Sequence, residues 1–356
     1  MSQSLESHRK KIDEIDRQLV TLLEERGRVA LEIGRLKAQT GRDTRDPARE
    51  AEVFRNVLAA STGPFDEAQL RAIFREIIGA TAELQRPTRV AYLGPPATFT
   101  HEAAMHQFGS TSTFVPARTI REVFSRTEKG EADYGVVPVE NSTDGAVTYT
   151  LDVLAESDLK IRGEVSLPIS HHLLCNGTRD GIKKVCSHPQ ALAQTRGWLA
   201  ENLPNVELSE TSSTARAAQI AADDPSVAAV ANGLAAEVYG VNILERRIED
   251  NPHNYTRFLI VGREMARRTG EDKTALLFSV EHKVGALHDA LGVLAGHGVN
   301  LTQIESRPLP GKVWEYLFFV DIQGHPDDEA VRSALEGLKG RCAWVRVLGA
   351  WPVSGR

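Results

Sequence analysis

The sequence predicts a multidomain protein with an all-α helical N-terminal domain, an α/β middle domain in two lobes, and an α+β, ferredoxin-like C-terminal domain. Three observations support this fold class. The chain has 356 residues, which is too long for one ordinary hydrophobic core. Apolar residues recur with a helical period up to about residue 85, after which strand-like and helical runs alternate. The last part of the chain has the order βαββαβ, which is the ferredoxin-like pattern.

Composition and charge argue against several classes of protein. The chain is 41% hydrophobic and 25% charged, which is ordinary for a globular protein, and its net charge of -6 argues against a nucleic-acid partner. No apolar run approaches the roughly 18 residues of a transmembrane helix, and the first residues are polar, unlike a signal peptide. Cys175, Cys186 and Cys342 are widely spaced and odd in number, which indicates neither a disulfide framework nor a zinc site. We therefore expect a cytoplasmic protein without a membrane partner.

The first domain, residues 1–88, is expected to consist of three helices. The first helix spans about residues 5–38, and its apolar residues form one stripe. The second begins with Asp46 as N-cap and Pro47 as its first residue, and the third spans about residues 66–85. Three helices form a thin core for a monomer, so we expect the first helix to pack against a second copy of the chain. The stripe consists of Ile12, Ile15, Leu19, Leu22, Val29, Ile33 and Leu36.

The middle domain, residues 89–265, and the C-terminal domain, residues 273–356, are separated by a charged linker. Strands alternating with helices predict parallel sheets in the middle domain. Its strands are expected near 90–93, 133–138, 169–174, 184–186, 226–230 and 258–261, with helices at 191–201 and 213–222 among others. In the C-terminal domain we expect strands at 275–280, 300–304, 313–322 and 344–350 and helices at 285–297 and 328–337.

Charged and polar side chains interrupt the apolar faces of the first three helices. Arg26 occupies a position of the apolar stripe, where a buried guanidinium requires an anion. Lys37 returns to almost the same face eleven residues later, about 16 Å along the axis. Each such residue alone could be a snorkelling side chain or part of an internal salt bridge, whereas the set indicates a pocket for a small dianion. Its other members are Asp46, Arg49, Glu50, Thr81 and Gln85.

Residues 1–88 resemble the all-helical chorismate mutase domain found at the N-terminus of bifunctional mutase–dehydratases. Arg9 lies 17 residues before Arg26, about 25 Å along a helix, so it cannot serve the same pocket. The resemblance assigns Arg9 to the pocket of the other chain in an interlocked dimer. The ligand residues that the resemblance implies are Arg9, Arg26, Lys37, Asp46, Arg49, Glu50, Thr81 and Gln85.

The rearrangement of chorismate to prephenate is unimolecular and requires no nucleophile. The site must fold the substrate and stabilise the charge that grows on its ether oxygen. The resemblance implies that Arg9 and Arg26 bind the two carboxylates and that Lys37 and Gln85 donate to the ether oxygen. Glu50 would accept from the ring hydroxyl.

A polar cluster reading Asn-Pro-His-Asn-Tyr-Thr-Arg-Phe runs from Asn251 to Phe258 and is followed by a strand. Its hydroxyl, amide and guanidinium groups suit an anionic substrate, although a turn whose Asn residues bond their own backbone is an alternative. The cluster resembles the threonine-arginine-phenylalanine motif of prephenate dehydratases. Four more stretches that resemble this family precede the cluster, in the order in which the family has them. The resemblance therefore covers about residues 88–265. They are residues 94–100, 133–142, 187–194 and 211–215.

This second resemblance implies two α/β lobes, as in periplasmic binding proteins, with the active site in the cleft between them. The reaction removes carbon dioxide and water from prephenate, and Thr256 would be the donor beside the departing hydroxyl. Arg257 would bind a substrate carboxylate or position the loop, whereas His188 is expected to cap a helix. No residue spacing indicates a metal or redox cofactor. The implied substrate-binding residues are Glu140, Asn141, Ser187, Gln194, Glu210, Arg257 and Phe258.

In the C-terminal domain, a first motif, residues 285–288, begins the first helix, and a second motif, residues 305–308, ends the second strand. These two motifs resemble the phenylalanine-binding motifs of regulatory ACT domains. Each alone could be a helix start or a polar strand end. The first departs from the family at His288, where valine is usual. The implied allosteric residues are Gly285, Ala286, Leu287, Asn300, Glu305, Ser306, Arg307 and Pro308.

Together these resemblances imply a bifunctional chorismate mutase–prephenate dehydratase of phenylalanine biosynthesis. It would act on chorismate and prephenate without a cofactor, be inhibited by phenylalanine, and form a homodimer through the helical and ACT domains. Two alternatives stay open: a non-catalytic amino-acid sensor, and a dehydratase that prefers arogenate.

Overall fold

The computed structural model describes residues 2–40, 43–308 and 315–353. The chain divides into two compact units. We call residues 1–88 together with 108–113 the helical unit, and residues 89–107 together with 114–356 the α/β unit. In the described part of the chain, no helix combines the length and the apolar character needed to cross a membrane.

The helical unit contains the three expected helices, α1 (Ser2–Thr40), α2 (Pro47–Ala60) and α3 (Glu67–Gln85). The expected start of α2 is confirmed, because Asp46 is its N-cap and its side chain accepts from the backbone N–H of Arg49. A capping box between Asp66 and Gln69 starts α3.

Small residues on α1 allow it to pack closely against α3. A methyl group added at Gly34 would lie 3.0 Å from the Cβ of Gln85, and one at Gly27 would lie 3.3 Å from Leu84. Ala30, between these glycines, is buried. The apolar stripe of α1 lies elsewhere on the helix and is exposed in the single chain; Leu22 is 60% exposed and Leu36 is 62% exposed.

The α/β unit contains a ten-stranded sheet and a five-stranded sheet, in the orders β13-β14-β12-β15-β5-β11-β3-β1-β2, with β4 beside β3, and β10-β6-β9-β7-β8. Its first strands are β1 (Arg89–Leu93), β2 (Thr113–Ala117), β3 (Tyr134–Asn141), β4 (Gly145–Ala146), β5 (Lys160–Pro168), β6 (His172–Leu174), β7 (Lys184–Ser187) and β8 (Glu207–Glu210). The remaining strands are β9 (Val227–Ala231), β10 (Ile243–Glu245), β11 (Tyr255–Gly262), β12 (Asp272–Ser279), β13 (Leu301–Pro308), β14 (Tyr316–Gln323) and β15 (Trp344–Pro352). The helices are α4 (Phe99–Phe108), α5 (Ile120–Glu128), α6 (Thr148–Glu156), α7 (Pro189–Gln194), α8 (Arg196–Asn202), α9 (Thr214–Asp223), α10 (Gly233–Tyr239), α11 (Ala286–Gly296) and α12 (Glu329–Lys339).

The middle part of this unit has the two expected lobes, but its sheets are mixed rather than parallel. β1 pairs parallel to β3, and β7 pairs parallel to β8 and β9, as expected. β11 runs antiparallel to both β3 and β5, because the chain returns from the second lobe and enters the first sheet in the reverse direction.

Three expected elements have different bounds. The strand expected near 169–174 covers only His172–Leu174, and the helix expected at 191–201 is divided at Thr195 into α7 and α8. The last strand of the middle domain begins at Tyr255, so Thr256 lies inside it.

The strand β5 was not expected. It buries the charged residues Arg162 and Glu164, and these charges conceal its strand pattern.

The C-terminal part has the expected βαββαβ order, from β12 to β15. The third strand begins at Tyr316, while Val313, where it was expected to start, lies outside the described residues. β15 pairs with β12 and connects the strands of the C-terminal part to those of the middle part through a single parallel pairing, between Gly349 and Ile161 of β5. A methyl group at Gly349 would lie 2.1 Å from the carbonyl oxygen of Ile161, so this contact requires glycine.

Candidate active sites

In the helical unit, Arg26 of α1 and Thr81 of α3 meet. A guanidinium N–H of Arg26 donates to the hydroxyl of Thr81 and, at 3.4 Å, to the carbonyl oxygen of Ile77. Burial, and then the nearby charge of Arg49, lower the pKa of Arg26 below its ordinary value. A guanidinium at this half-buried position, with a second one near enough to lower its pKa, indicates a site that an anion would stabilise.

Gln85 and Lys37 lie further along the same pair of helices. Gln85 packs over Gly34, and its side-chain oxygen is buried without a hydrogen-bond partner in the part of the chain that the structure describes. Lys37 is half-buried and donates to the carbonyl oxygen of Thr44, 2.5 Å away. A ligand oxygen could compete with that carbonyl for the ammonium group.

The residues expected on α2 divide into two kinds. Glu50 is mostly buried and lies 3.7 Å from the guanidinium of Arg45, which sequence reasoning had missed. Arg45 is 4% exposed and donates to the carbonyl oxygen of Phe108. Asp46 caps α2 and so has a structural role, and Arg49 is exposed and pairs with Glu52 at 2.7 Å.

Arg9 lies on the exposed N-terminal part of α1. A helix of this length places it about 25 Å from Arg26. The structure therefore does not bring Arg9 to the group around Arg26 within one chain.

In the α/β unit, Thr256 lies opposite Asn141 in the pairing of β11 with β3. The side-chain amide of Asn141 donates to the hydroxyl of Thr256 at 2.8 Å and to the side-chain oxygen of Asn254 at 2.9 Å. The side-chain oxygen of Asn141 accepts from the backbone N–H groups of Thr143 and Asp144, which fixes the direction of the amide. Because the Thr256 oxygen accepts from Asn141, its own proton is free to be donated to a ligand.

The same chain of hydrogen bonds continues into the second lobe. Asn254 donates to the side-chain oxygen of Gln194 at 3.0 Å, and Nε2 of His171 lies 3.0 Å from that oxygen. The amide nitrogen of Gln194 donates to Asp144 at 3.0 Å. Burial lowers the pKa of His171, so the ring is neutral at pH 7 and donates through Nε2.

Asn254, His171 and Asp144 were not among the expected site residues. Asn254 lies within the polar cluster that motivated the assignment of Thr256, two residues before it. His171 carried no local signal, because only the fold places it beside α7.

Arg257 and Glu140 lie on the opposite face of the strands from Thr256 and Asn141, as the period of two requires. Arg257 donates to Glu164 at 2.7 Å, to Asp321 at 2.5 Å and to the side-chain oxygen of Gln303. Its guanidinium is therefore occupied by side chains of β5, β14 and β13, which argues against contact with a substrate carboxylate and favours the positioning role.

The ion pairs around Arg257 set two cations, Arg257 and Lys273, against three carboxylates. Glu164 and Asp321 lie 2.7 and 2.5 Å from Arg257 and Glu140 lies 4.0 Å from it, while Lys273 contacts Glu164 at 2.6 Å. Burial opposes the charge on Glu164, but Arg257 and Lys273 outweigh it and hold its pKa below the ordinary value. At Asp321 burial is the larger effect and raises the pKa. The 2.5 Å contact with Arg257 nevertheless favours the charged form of Asp321.

Three further expected residues lie outside the Thr256 network. Ser187 is fully buried and donates its proton to the carbonyl oxygen of Val230, so it cannot donate to a ligand. Phe258 is 1% exposed and belongs to the interior, and Glu210 is exposed at the end of β8. His188 caps α7, as expected, through the backbone N–H of Gln190.

The loop after β1 holds Ala97 in a backbone conformation that favours glycine. Ala97 has φ of 66°, a left-handed conformation in which glycine would be unstrained. Its side chain is fully buried among the alanines of the second lobe, so the methyl group contributes packing that glycine would lose.

The expected allosteric residues lie at the start of α11 and along β13. Gly285 has φ of 82° at the N-cap of α11, and His288 is 88% exposed. Along β13, Ser306 and Pro308 are exposed, whereas Arg307 contacts Asp152 of α6 at 2.8 Å. Glu305 lines a small cavity of about 40 Å³ beside Arg257. The second motif thus presents alternate residues to solvent and to the middle domain. Ala286 is buried, Leu287 is half-buried and Asn300 is exposed.

Across residues 2–40, 43–308 and 315–353, no group of three or more His, Cys, Asp or Glu side chains has an arrangement suitable for holding a metal ion.

The whole chain is similar to proteins of known families. Family models described as chorismate mutase type II, prephenate dehydratase and ACT domain match residues 8–86, 90–266 and 274–340. The bifunctional chorismate mutase/prephenate dehydratase of Aquifex aeolicus is 46% identical over 98% of this chain and 98% of its own length. That of Neisseria gonorrhoeae is 43% identical over 99% of each chain. The structure of prephenate dehydratase from Arthrobacter aurescens in complex with L-Phe has a TM-score of 0.69 at 38% identity, covering 74% of this chain and 90% of that one.

Proposed function

The chain belongs to the family of bifunctional chorismate mutase/prephenate dehydratases, and from that premise we propose how its residues divide the work. The helical domain, residues 1–88, rearranges chorismate to prephenate. The middle domain, residues 89–265, converts prephenate to phenylpyruvate, and the ACT domain, residues 273–356, makes this conversion sensitive to phenylalanine.

The mutase site is built around Arg26 and Lys37 of α1 and Gln85 of α3. Arg26, with Arg49 nearby, binds one carboxylate of chorismate, and its lowered pKa supports a site that an anion completes. Lys37 and Gln85 donate to the ether oxygen, where charge grows during the rearrangement. Gln85 is an amide and can donate at any pH, whereas a glutamate there would have to be protonated.

The other substrate carboxylate is bound by Arg9 of the partner subunit in a homodimer. The exposed apolar stripe on α1 supports this arrangement, because an unpaired helix with residues such as Leu22 and Leu36 more than half exposed favours a second copy. Analytical ultracentrifugation tests it. Leu22→Glu with Leu36→Glu is expected to produce monomers without mutase activity, and a fully active monomer would contradict the shared site.

The dehydratase site uses the Thr256 hydroxyl as the proton donor to the departing ring hydroxyl. The observation that supports this role is the direction of the hydrogen bonds from Asn141, which leave the Thr256 proton free for a ligand. Asn254, Gln194 and the neutral His171 hold that direction across both lobes. The ring C–O bond breaks and the hydroxyl leaves as water with the Thr256 proton, while the bond to the ring carboxylate breaks to release carbon dioxide and its electron pair makes the ring aromatic. Thr256 then regains a proton from solvent.

Phenylalanine binds the ACT domain through the exposed side of the two motifs. The residues that the structure leaves accessible are Gly285 and Asn300, together with Ser306 and Pro308 of β13. Arg307 is held by Asp152 and so supports the strand. The three free cysteines are consistent with a protein of the reducing cytoplasm.

Turnover of chorismate tests the whole proposal. Purified protein is incubated with chorismate, and prephenate and phenylpyruvate are followed with and without phenylalanine. We expect transient prephenate, then phenylpyruvate, with the second step suppressed by phenylalanine. Prephenate that accumulates would indicate an arogenate-preferring dehydratase, for which arogenate is the control substrate. No turnover of chorismate would favour the non-catalytic amino-acid sensor.

A further inference from the structure

Arg257 directly follows Thr256 in β11, yet its guanidinium is held largely by the ACT domain. Two of its hydrogen-bond acceptors, Gln303 and Asp321, belong to β13 and β14, and a third, Glu164, belongs to β5. Arg257 is mostly buried, so water cannot replace a lost acceptor without a rearrangement. The backbone position of the catalytic strand therefore depends on side chains of a different domain.

A β-bulge lies at this same point of the sheet. Arg257 pairs with Glu140 but Phe258 pairs with Pro138, so the register of β11 against β3 shifts directly after Arg257. Bulges redirect the neighbouring side chains. The anchor on Arg257 thus acts at the irregularity in the pairing with β3, one residue from Thr256.

We propose that Asp321 of the ACT domain is a positioning residue for the dehydratase reaction, acting through Arg257 on Thr256. This inference rests on the proposed function of Thr256. Gln303 shares the guanidinium with Asp321 and lies opposite it in the pairing of β13 with β14, so the two move together.

The same strand, β13, carries the exposed Ser306 and Pro308 of the second motif. A displacement of β13 by a ligand on that side is transmitted to Gln303, and hence to Arg257. The cavity of about 40 Å³ beside Arg257, Gln303 and Asp321 leaves room for such a shift, and it is too small for an amino acid to occupy.

Asp321→Asn tests the inference on the full chain, because it keeps an oxygen that can accept from Arg257 but removes the charge. We expect the kcat of the dehydratase to fall roughly tenfold, with little change in KM for prephenate, as misplacement of a catalytic group predicts. Calorimetry is expected to show phenylalanine still bound, while more phenylalanine is needed for half-maximal inhibition. Mutase activity on the same chain is expected to stay unchanged and reports folding.

Glu336→Gln is the matched control, because it removes an exposed ion pair with Lys339 in the same domain. It is expected to change neither kcat nor inhibition. Wild-type kcat and inhibition in Asp321→Asn would overturn the inference while leaving the proposed function intact. Wild-type protein that is itself inactive on prephenate would overturn both.

Gln303→Met decides the question if Asp321→Asn does not fold. It keeps the volume of the side chain and leaves the partly exposed Glu140 as the only group that loses a donor. Weakened phenylalanine inhibition at unchanged phenylalanine binding supports the inference. Unchanged inhibition overturns it.

Discussion

The direction of the hydrogen bonds around Asn141 can be reversed by one isosteric change, Asn141→Asp. The native amide donates at 2.9 Å to Asn254 and at 2.8 Å to Thr256, and a carboxylate can do neither. The Thr256 proton would then turn toward the carboxylate and away from the substrate. Loss of that donor is expected to lower the kcat of the dehydratase by roughly 100-fold, which is about 2.7 kcal/mol.

The stability change of this variant follows from the same contacts. The bond to Thr256 is reversed, whereas the bond to Asn254 is lost, so the expected loss is about 1 kcal/mol, or roughly 2–4 °C in the melting temperature of the α/β unit. The loss should be partial, because the backbone N–H groups of Thr143 and Asp144 keep their acceptor. Mutase activity on the same chain is the internal control.

The assay is steady-state formation of phenylpyruvate by variant and wild type from pH 8 to pH 6. The introduced carboxylate accepts from the backbone N–H groups of Thr143 and Asp144, which favours its ionised form, so the ratio of variant to wild-type kcat is expected to stay at about 0.01 across this range. A ratio that stays near one over this range would refute the directional argument.

Three other predictions follow from described contacts. Thr256→Val keeps the shape of the side chain but removes the hydroxyl proton, so dehydratase activity is expected to fall by roughly 10²–10⁴-fold. Thr256→Ser keeps the hydroxyl and is expected to keep most of the activity. Equal activity of the two variants would contradict the donor role. Gln85→Glu is expected to lose mutase activity at pH 8.5 while wild type keeps its activity between pH 7 and 9, and a variant fully active at pH 8.5 would contradict the role of Gln85. Burial lowers the pKa of His101, His171 and His172 below the ordinary 6.5, so the unfolded chain binds protons near pH 6 that the folded chain does not. Stability is therefore complete above pH 7 and falls toward pH 5; a melting temperature that stays flat over this window would contradict it.

The order of helices and strands was predictable because apolar periodicity and helix caps are local signals. Asp46 and Pro47 marked the start of α2 correctly, and the βαββαβ order of the last domain was confirmed. β5 was missed because Arg162 and Glu164 occupy its buried face. Their partners are distant in sequence, so no window around β5 could indicate that these charges are paired.

The sequence predicted part of the Thr256 network, but neither its full membership nor the side of the strand on which each residue lies. Thr256, Asn141 and Gln194 come together as expected, whereas Arg257 and Glu140 lie on the opposite face. A motif lists neighbours along the chain, and neighbours in a strand point to opposite sides. Which of these side chains share a face of the strand can be decided only once Thr256 is known to lie inside it.

The single pairing between Gly349 and Ile161 has a consequence for shortened forms of this protein. β15 covers the side of β5 that would otherwise be an open sheet edge. Two side chains add hydrogen bonds between the same two parts of the chain. Arg346 donates to the carbonyl oxygens of Leu154 and Ala155, and Lys160 donates to that of Val347. A chain that ends before residue 272 would expose the N–H and C=O groups of β5, and such edges recruit other chains into aggregates. The regulatory domain thus also protects the catalytic sheet from self-association.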